Sequence, residues 1–199
     1  MHKYILLFII VLFSLACGNM RTDSPSPEKL VQQLADPTTT AAAQKALKDL
    51  GASAVPALIK GLKNPNAKIR EESARTLAFI GPDAKDAVPA LIETLKDVEP
   101  VVRSDSAWAL GEIGSAAYVA IPALIAALDD EEDTVRDFAI KALGDFGPAA
   151  ADALPKLKDM AKNDANTFIR DSAREAIDAI EVKTSADEGF VEGTPEPMD

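Results

Sequence analysis

The chain repeats itself every 33 residues. Proline recurs within an apolar-Pro-x-Leu pattern at Pro56, Pro89, Pro122 and Pro155. An arginine and a glycine recur in step with it, the glycine at 81, 114 and 147. Because several residue types keep one register, each repeat is one structural unit. Stacked units bury apolar surface that a single unit cannot bury alone.

Each unit is predicted to be a pair of helices. The proline suits the first turn of the first helix, because its fixed φ and missing N–H cost nothing there. An Asn or Asp then marks the turn, and we expect its side chain to cap the second helix. The glycine ends the second helix, since it tolerates a positive φ.

Residues 28–50 match the later units but are shorter and lack the arginine, as a terminal capping repeat would. Five helix pairs result, so the predicted fold is an all-α solenoid over residues 28–181. Residues 182–199 carry too few apolar side chains to pack and are expected to form a disordered acidic tail.

The unit resembles the HEAT repeat, and is most similar to the short bacterial type grouped with phycobilisome-lyase-like proteins. The resemblance rests on Pro-Ala-Leu-Ile, an Asp or Asn at the turn, Val/Ile-Arg six residues later and Ala-Leu-x-x-Ile-Gly. It covers about 150 residues and implies an α-solenoid whose second helices line a concave surface. It is not specific for function, because the family includes scaffolds, adaptors and a few enzymes.

The resemblance also implies a structural role for the polar residue of each turn and for the recurrent arginine. In HEAT-like proteins such positions form a ladder between adjacent units, where a guanidinium satisfies several turn oxygens. A row of arginines that binds an anion is the alternative. The ladder positions are Asn64, Arg70, Asp97, Arg103, Asp130, Arg136, Asp164 and Arg170.

Helical periodicity identifies the residues left facing outward. Five residues after each ladder arginine, a side chain points about 145° away from the centre of the core. We predict that this row binds a partner, with the chain's single tryptophan as its anchor. A tryptophan lying flat over the neighbouring repeat is the alternative. Phe79 and Phe138, on the flanks of the same helices, either extend the patch or pack between helices, and packing is favoured. The row is Arg75, Trp108, Lys141 and Glu175.

The first 17 residues predict export. Lys3 precedes an apolar stretch of 13 residues, bounded by Tyr4 and Ala16, that is too short to span a bilayer. Ser14-Leu15-Ala16-Cys17 resembles the lipobox of bacterial lipoproteins, although leucine is commoner than serine at its first position. We therefore expect Cys17 to be lipidated, residues 18–27 to be a flexible tether, and the protein to be anchored to a bacterial membrane on its periplasmic or cell-surface side. A plain secretory signal and an uncleaved anchor are the alternatives.

Composition excludes several functions. The net charge of −11 disfavours nucleic acid as a partner. His2 is the only histidine and Cys17 the only cysteine, so metal centres and nucleophilic triads lack their usual residues, and no cofactor or metal is expected.

These observations favour a non-catalytic, lipid-tethered scaffold or adaptor that binds a protein or peptide on its concave face. Acidic residues around that face suggest a basic partner, although solvated helix exteriors are charged in any case. A lyase-like enzyme, or an enzyme subunit acting on a chromophore or a modified protein, is the alternative. A purely structural role in the envelope also stays open.

Overall fold

The computed structural model describes residues 25–187, and this part of the chain is helical throughout, without a strand. Ten α-helices form five successive pairs. The pairs are α1 (Pro27–Gln33) with α2 (Thr40–Leu50), α3 (Val55–Gly61) with α4 (Ala67–Ile80), α5 (Val88–Thr94) with α6 (Pro100–Ile113), α7 (Ile121–Ala127) with α8 (Asp133–Asp145), and α9 (Leu154–Asn163) with α10 (Thr167–Asp187). This confirms the predicted all-α solenoid.

Leucines at the repeat interval form the core. One leucine of each first helix from α3 onward is completely buried, as is one leucine of each second helix from α2 to α8. The repeat therefore places the same side chain in the same layer of every unit, and the layers join into one continuous core. These leucines are Leu58, Leu91, Leu124 and Leu157 in the first helices, and Leu47, Leu77, Leu110 and Leu143 in the second.

Four short 3₁₀ segments connect the units, an element that the sequence analysis does not predict. Each begins at a recurrent glycine with positive φ, for example Gly81 at 69° and Gly114 at 73°. The segments are Gly51–Ala54, Gly81–Ala87, Gly114–Ala120 and Gly147–Ala153.

The two layers of helices are spaced differently. Second helices pack directly on each other from α2 to α10, whereas the last three 3₁₀ segments lie between neighbouring first helices. A layer that includes an extra segment is longer than one packed helix on helix. The solenoid therefore bends towards its second helices, whose outer surface we call the second-helix face.

The recurrent arginine joins neighbouring units. Arg103 Nε and Nη2 donate to the two carboxylate oxygens of Asp130, both at 2.7 Å, while Nη1 donates to the carbonyl oxygen of Asp97 at 2.9 Å. Arg70 binds Asp97 in the same way at 2.7 and 2.8 Å. Arg136 reaches Asp164 at 3.2 and 3.3 Å. Each guanidinium thus ties the turn of its own unit to the turn of the next, and none of these three is free to bind an outside anion.

The carboxylates of Asp97 and Asp130 stay ionised. Burial opposes their ionisation, but hydrogen bonds from the arginine and from a backbone N–H hold the pKa of Asp97 and Asp130 below its usual value. Hydrogen bonding to the charged form explains this direction.

The turn residues do not cap the second helices as predicted. Asp97 and Asp130 accept the N–H of the residue two positions on, both at 3.0 Å, which closes an Asx turn before the helix begins. The helix caps are Asn66, whose side chain accepts from Lys68 N, and Glu99 and Glu132, whose side chains make no capping bond. Asn64 closes the same Asx turn with Asn66 N at 2.9 Å, so in each of these units the turn residue lies two positions before the N-cap.

The C-terminal end of the solenoid differs from the prediction. Helix α10 continues to Asp187, past residue 182, where the acidic tail was expected to begin. The export signal 1–17 with Cys17, most of the tether and residues 188–199 lie outside the described residues, so those assignments stay predictions.

One stretch within residues 25–187, Pro100–Ala127, is long and apolar enough to cross a membrane by length and composition, with a mean hydropathy of 1.6. Core helices of soluble proteins meet the same criterion. Here the stretch turns at Gly114, where φ is 73°, and its first part, α6, packs between α4 and α8 with Arg103 and Asp105 buried.

Replacing Arg103 with alanine tests the ladder. Asp130 would keep a mostly buried charge without its partner, so we expect the free energy of unfolding to fall by about 3–5 kcal/mol. Arg103→Lys keeps the charge but cannot bridge both carboxylate oxygens and two carbonyls, and should lose roughly half as much. Urea denaturation followed by circular dichroism measures both.

Arg170→Ala is the matched control. Among the described residues Arg170 donates only to the carbonyl oxygens of Asp164 and Ala165, at 2.7 and 3.3 Å. Its loss should cost about 1 kcal/mol per bond or less. Equal losses for Arg103→Ala and Arg170→Ala would contradict the energetic role of the interunit pair.

Candidate functional site

The four outward residues predicted from periodicity lie on consecutive second helices, on α4, α6, α8 and α10. Trp108 is half-buried and Lys141 exposed, and both line one hollow between α6 and α8. Lys141 and Glu175 line the next hollow, between α8 and α10. Arg75 belongs to a separate group of charges on α4. Trp108, Lys141 and Glu175 therefore lie along one surface, whereas Arg75 forms ion pairs with carboxylates.

Aromatic rings form a continuous line across this face. The Phe79 ring meets Trp108 edge to face with centroids 5.2 Å apart, and Trp108 lies 6.2 Å from Phe138. Lys141 Nζ lies 5.5 Å from the Phe138 and Phe168 ring centroids and so bridges the last two rings. We call Phe79, Trp108, Phe138 and Phe168 the aromatic row. Phe79 and Phe168 are 42% and 59% exposed, too much for a role in the core alone.

Sequence reasoning did not identify this row as a whole. Phe138 packs against the core, as favoured, and its ring also belongs to the row, while Phe79 extends the patch at its other end. Relative to the arginine of their units, at 70, 103, 136 and 170, the four aromatics stand at +9, +5, +2 and −2. Each step of three or four residues is one helical turn. The row therefore crosses the solenoid diagonally, and a comparison of equal positions in each repeat cannot find it. Counting each aromatic from its arginine reveals it.

Charges on α4 neutralise one another. Lys68 Nζ lies 2.8 Å from Glu71 and 2.6 Å from Glu72, and Arg75 lies 3.1 Å from each of these carboxylates. Arg75 Nη2 also lies 2.9 Å from Asp105 Oδ2 on α6. Arg75 is therefore engaged in an ion-pair network.

Asp105 is the least satisfied member of that network. Its side chain is 7% exposed, and Oδ2 lacks a hydrogen bond although Arg75 lies near, because the contact is off the hydrogen-bonding direction. Burial raises the pKa of Asp105 to about 6, Arg75 opposes the rise, and Glu71 and Glu72 add to it. Asp105 is thus a buried carboxylate that destabilises the folded state when ionised.

The second-helix face also holds a hollow of about 140 Å³, the Trp108 hollow. The floor of this hollow is formed by small residues. Gly111 has no side chain, and a Cβ added there would lie 3.2 Å from Ala142. Its rim carries Glu112, whose Oε1 accepts the Trp108 indole N–H at 2.8 Å, and Asp145. The lining residues are Trp108, Gly111, Glu112, Phe138, Lys141, Ala142 and Asp145.

Metal ligands do not come together among the side chains of residues 25–181, where His, Cys, Asp and Glu form no group of three or more that could hold an ion. The acidic run 129–133 is occupied by its own contacts. Asp129 pairs with Lys156, Asp130 with Arg103, and Asp133 with Arg136.

Asp105→Asn tests the effect of the raised pKa. An unfolded aspartate has a pKa of about 3.9, so as the pH rises from about 4 the unfolded state loses its proton before the folded state does. Stability therefore falls between about pH 4 and pH 6 and then levels off. The asparagine variant has no carboxylate to ionise, so its stability does not fall over this range. It should be about 1–3 kcal/mol more stable than the parent at pH 7.5, with no difference near pH 4.

Asp137→Asn is the control, measured by urea denaturation at the same pH values. Asp137 is also buried, but it accepts hydrogen bonds from Lys141 at 2.7 Å and from Ser172 at 2.8 Å. Its loss should destabilise the protein at pH 7.5. A stability difference for Asp105→Asn that does not change with pH would show that Asp105 ionises normally.

Known proteins resemble this chain in sequence and fold. No curated protein matches it. Among solved structures, a chain in the complex of CpcE and CpcF of phycocyanin lyase from Nostoc sp. PCC7120 is 28% identical, with a TM-score of 0.65 over 74% of this chain and 96% of that one. A computationally designed armadillo repeat protein for modular peptide recognition is 20% identical, with a TM-score of 0.58 over 76% and 81% of the two chains. An engineered protein is 22% identical, with a TM-score of 0.59 over 81% of each chain. The last two similarities concern the fold alone.

The family comparison covers the whole helical body. The model that describes HEAT repeats matches residues 27–111 and, in a second copy, residues 88–178. These ranges overlap in the middle of the solenoid and contain every unit that carries the arginine ladder. The chain therefore belongs to the HEAT-repeat family.

Proposed function

We propose that the protein is a non-catalytic, lipid-tethered HEAT-repeat scaffold that binds a protein or peptide on its second-helix face. The observation that carries this proposal is the aromatic row. Folding alone does not require large rings such as Phe79 and Phe168 to lie exposed in line with Trp108. Aromatic side chains in a connected, partly exposed patch are typical of interface anchors.

The comparisons support the protein-binding part of the proposal. Repeats of the HEAT and armadillo type are suited to binding proteins. Of the two structural neighbours with a described role, one is a complex of two proteins and the other was designed for peptide recognition.

The tether rests on sequence alone. The apolar stretch of residues 4–16 ends directly before Cys17, and the Ser- and Pro-containing segment that follows would give the solenoid reach from the membrane. Diacylation at Cys17 supplies two acyl chains, enough for stable anchoring.

A lyase-related role is the second candidate, and one observation favours it. The Nostoc lyase structure contains a chain matched over 96% of its length at 28% identity. In this alternative the solenoid is a subunit that holds a chromophore or a modified protein. Purification from the native host separates the two candidates. A coloured ligand or a covalently modified protein that copurifies favours the lyase role, whereas a colourless, unmodified partner favours the scaffold.

Partner capture tests the second-helix face. In-cell crosslinking followed by mass spectrometry should recover the partner with the parent protein. The double variant Trp108→Ala with Lys141→Glu removes the central ring and the cation that bridges the Phe138 and Phe168 rings. We expect its recovery of the partner to fall about tenfold or more, because the loss of the central anchor outweighs the added negative charge, which by itself would favour a basic partner.

The matched control makes the same kinds of change elsewhere. Val119 is 70% exposed in the third 3₁₀ segment and Lys85 is exposed in the second, both away from the aromatic row. Val119→Ala with Lys85→Glu should leave recovery unchanged. If both double variants recover the partner as well as the parent, binding at the second-helix face is wrong.

Cys17→Ser tests the tether independently of the partner. Without the thiol no acyl chain can be attached, so we expect the variant to leave the membrane fraction after cell lysis, while the parent partitions into the detergent phase of a Triton X-114 extraction. Membrane association equal to that of the parent would refute lipidation.

A further inference from the structure

The Trp108 hollow carries negative charge that its neighbours do not neutralise. Among the side chains of residues 25–181, Asp145 makes neither a hydrogen bond nor an ion pair, and Glu112 has only the indole N–H of Trp108. Burial raises the pKa of Asp145, and the nearby charge of Glu112 raises it further. Lys141, the only cation lining the hollow, is held 2.7 Å from Asp137.

Most other carboxylates of this face lie beside a cation; Glu175, which lines the neighbouring hollow, is an exception. Glu71, Glu72 and Asp105 lie beside Lys68 or Arg75, and Asp137 lies beside Lys141. Only at the Trp108 hollow do two aromatic rings and two carboxylates without a cationic partner occur together among the described residues. The combination of a ring surface with uncompensated negative charge fits a cation from outside the chain.

We propose, building on the binding function above, that the Trp108 hollow binds an arginine or lysine side chain from an extended basic segment of a partner protein. The aliphatic stem lies against the Trp108 and Phe138 rings. The cationic group lies at the rim, where Glu112 and Asp145 accept its hydrogen bonds and the rings attract its charge.

The spacing of the hollows indicates the form of that segment. A second hollow of about 190 Å³ lies between α8 and α10, and its lining includes Asp145, Glu175 and the backbone of Gly144. Neighbouring helices stand roughly 8–10 Å apart. A polyproline II segment places every third side chain on the same side, about 9 Å along its axis. Basic residues three positions apart therefore fit adjacent hollows.

Charge argues against this chain as its own occupant. Residues 188–199 carry Glu188, Glu192, Glu196 and Asp199 and no lysine or arginine, so this segment would be repelled by the hollow. A second copy of the chain brings a net charge of −11 against the same face. A basic segment of a different protein is attracted by both the hollow and the whole molecule.

Defined peptides test the proposal on the full chain. The probe is a short fluorescent peptide with arginine at every third position and Gly, Ser and Ala elsewhere, measured by anisotropy at low and moderate salt. Matched peptides replace the arginines with glutamine, leucine or glutamate. We expect the arginine peptide to bind at least about tenfold more tightly than the glutamine peptide, with affinity falling as salt rises.

Variants locate the binding. Glu112→Gln and Asp145→Asn should each weaken binding of the arginine peptide several-fold, and the double variant about tenfold or more. Trp108→Leu keeps an apolar side chain in place but removes the ring, and should weaken binding comparably. The matched control is Asp83→Asn with Asp86→Asn, which neutralises two exposed carboxylates of the second 3₁₀ segment. It should change only the weak, salt-dependent attraction between the peptide and the whole molecule.

Three outcomes overturn the proposal: equal binding of the leucine and arginine peptides, binding unaffected by Glu112→Gln with Asp145→Asn, or no binding of the arginine peptide. The proposed function fails separately. If crosslinking captures a partner that is lost with the Trp108→Ala, Lys141→Glu variant while the peptides show no preference for arginine, the second-helix face binds a partner of other chemistry. If crosslinking captures nothing there, the proposed function itself fails.

Discussion

The forked contact between one arginine and two turns holds the solenoid together. A unit of two short helices buries little surface alone, so its position depends on its neighbours. Arg103 donates to the carbonyl oxygen of its own turn and to both oxygens of Asp130 in the next, and Arg70 and Arg136 repeat this arrangement. A guanidinium can make this set of contacts because its donors are fixed in one plane. The ladder thereby links the turns that precede α4, α6, α8 and α10.

Small residues set how closely the second helices approach. Gly111 lies against Ala142, and Gly144 against Ala176, so larger side chains at either glycine would push the helices apart. Close approach has two consequences for the second-helix face. The aromatic rings of successive helices come within contact distance of one another, and shallow hollows open where the glycines leave room. Packing constraints and the candidate binding surface therefore share the same residues.

Sequence reasoning predicts what depends on the repeat itself. The helix pairs, the glycines with positive φ and the outward position of Trp108 follow from a fixed interval and helical periodicity. Contacts whose position within the unit changes from one repeat to the next cannot be predicted in this way. The aromatic row moves back one turn per unit, so comparison of equal positions hides it. The capping role predicted for Asp97 and Asp130 is wrong because each helix begins later than expected, with Glu99 and Glu132 at the N-cap positions. Asn64 closes the same Asx turn with Asn66 N, so propensity rules identify the turn but not the residue at which the helix begins.

The ladder also has consequences for how such a chain can lengthen. The third and fourth units each carry an arginine for the next unit and an aspartate for the previous one. Duplication of either unit in frame would therefore leave every ladder charge matched. The first unit cannot be copied inwards on the same terms: it has no ladder arginine, and Asn64, an uncharged side chain, follows it where later turns have aspartate. The solenoid can thus lengthen by duplication of units in its interior, but not by duplication of its amino-terminal unit.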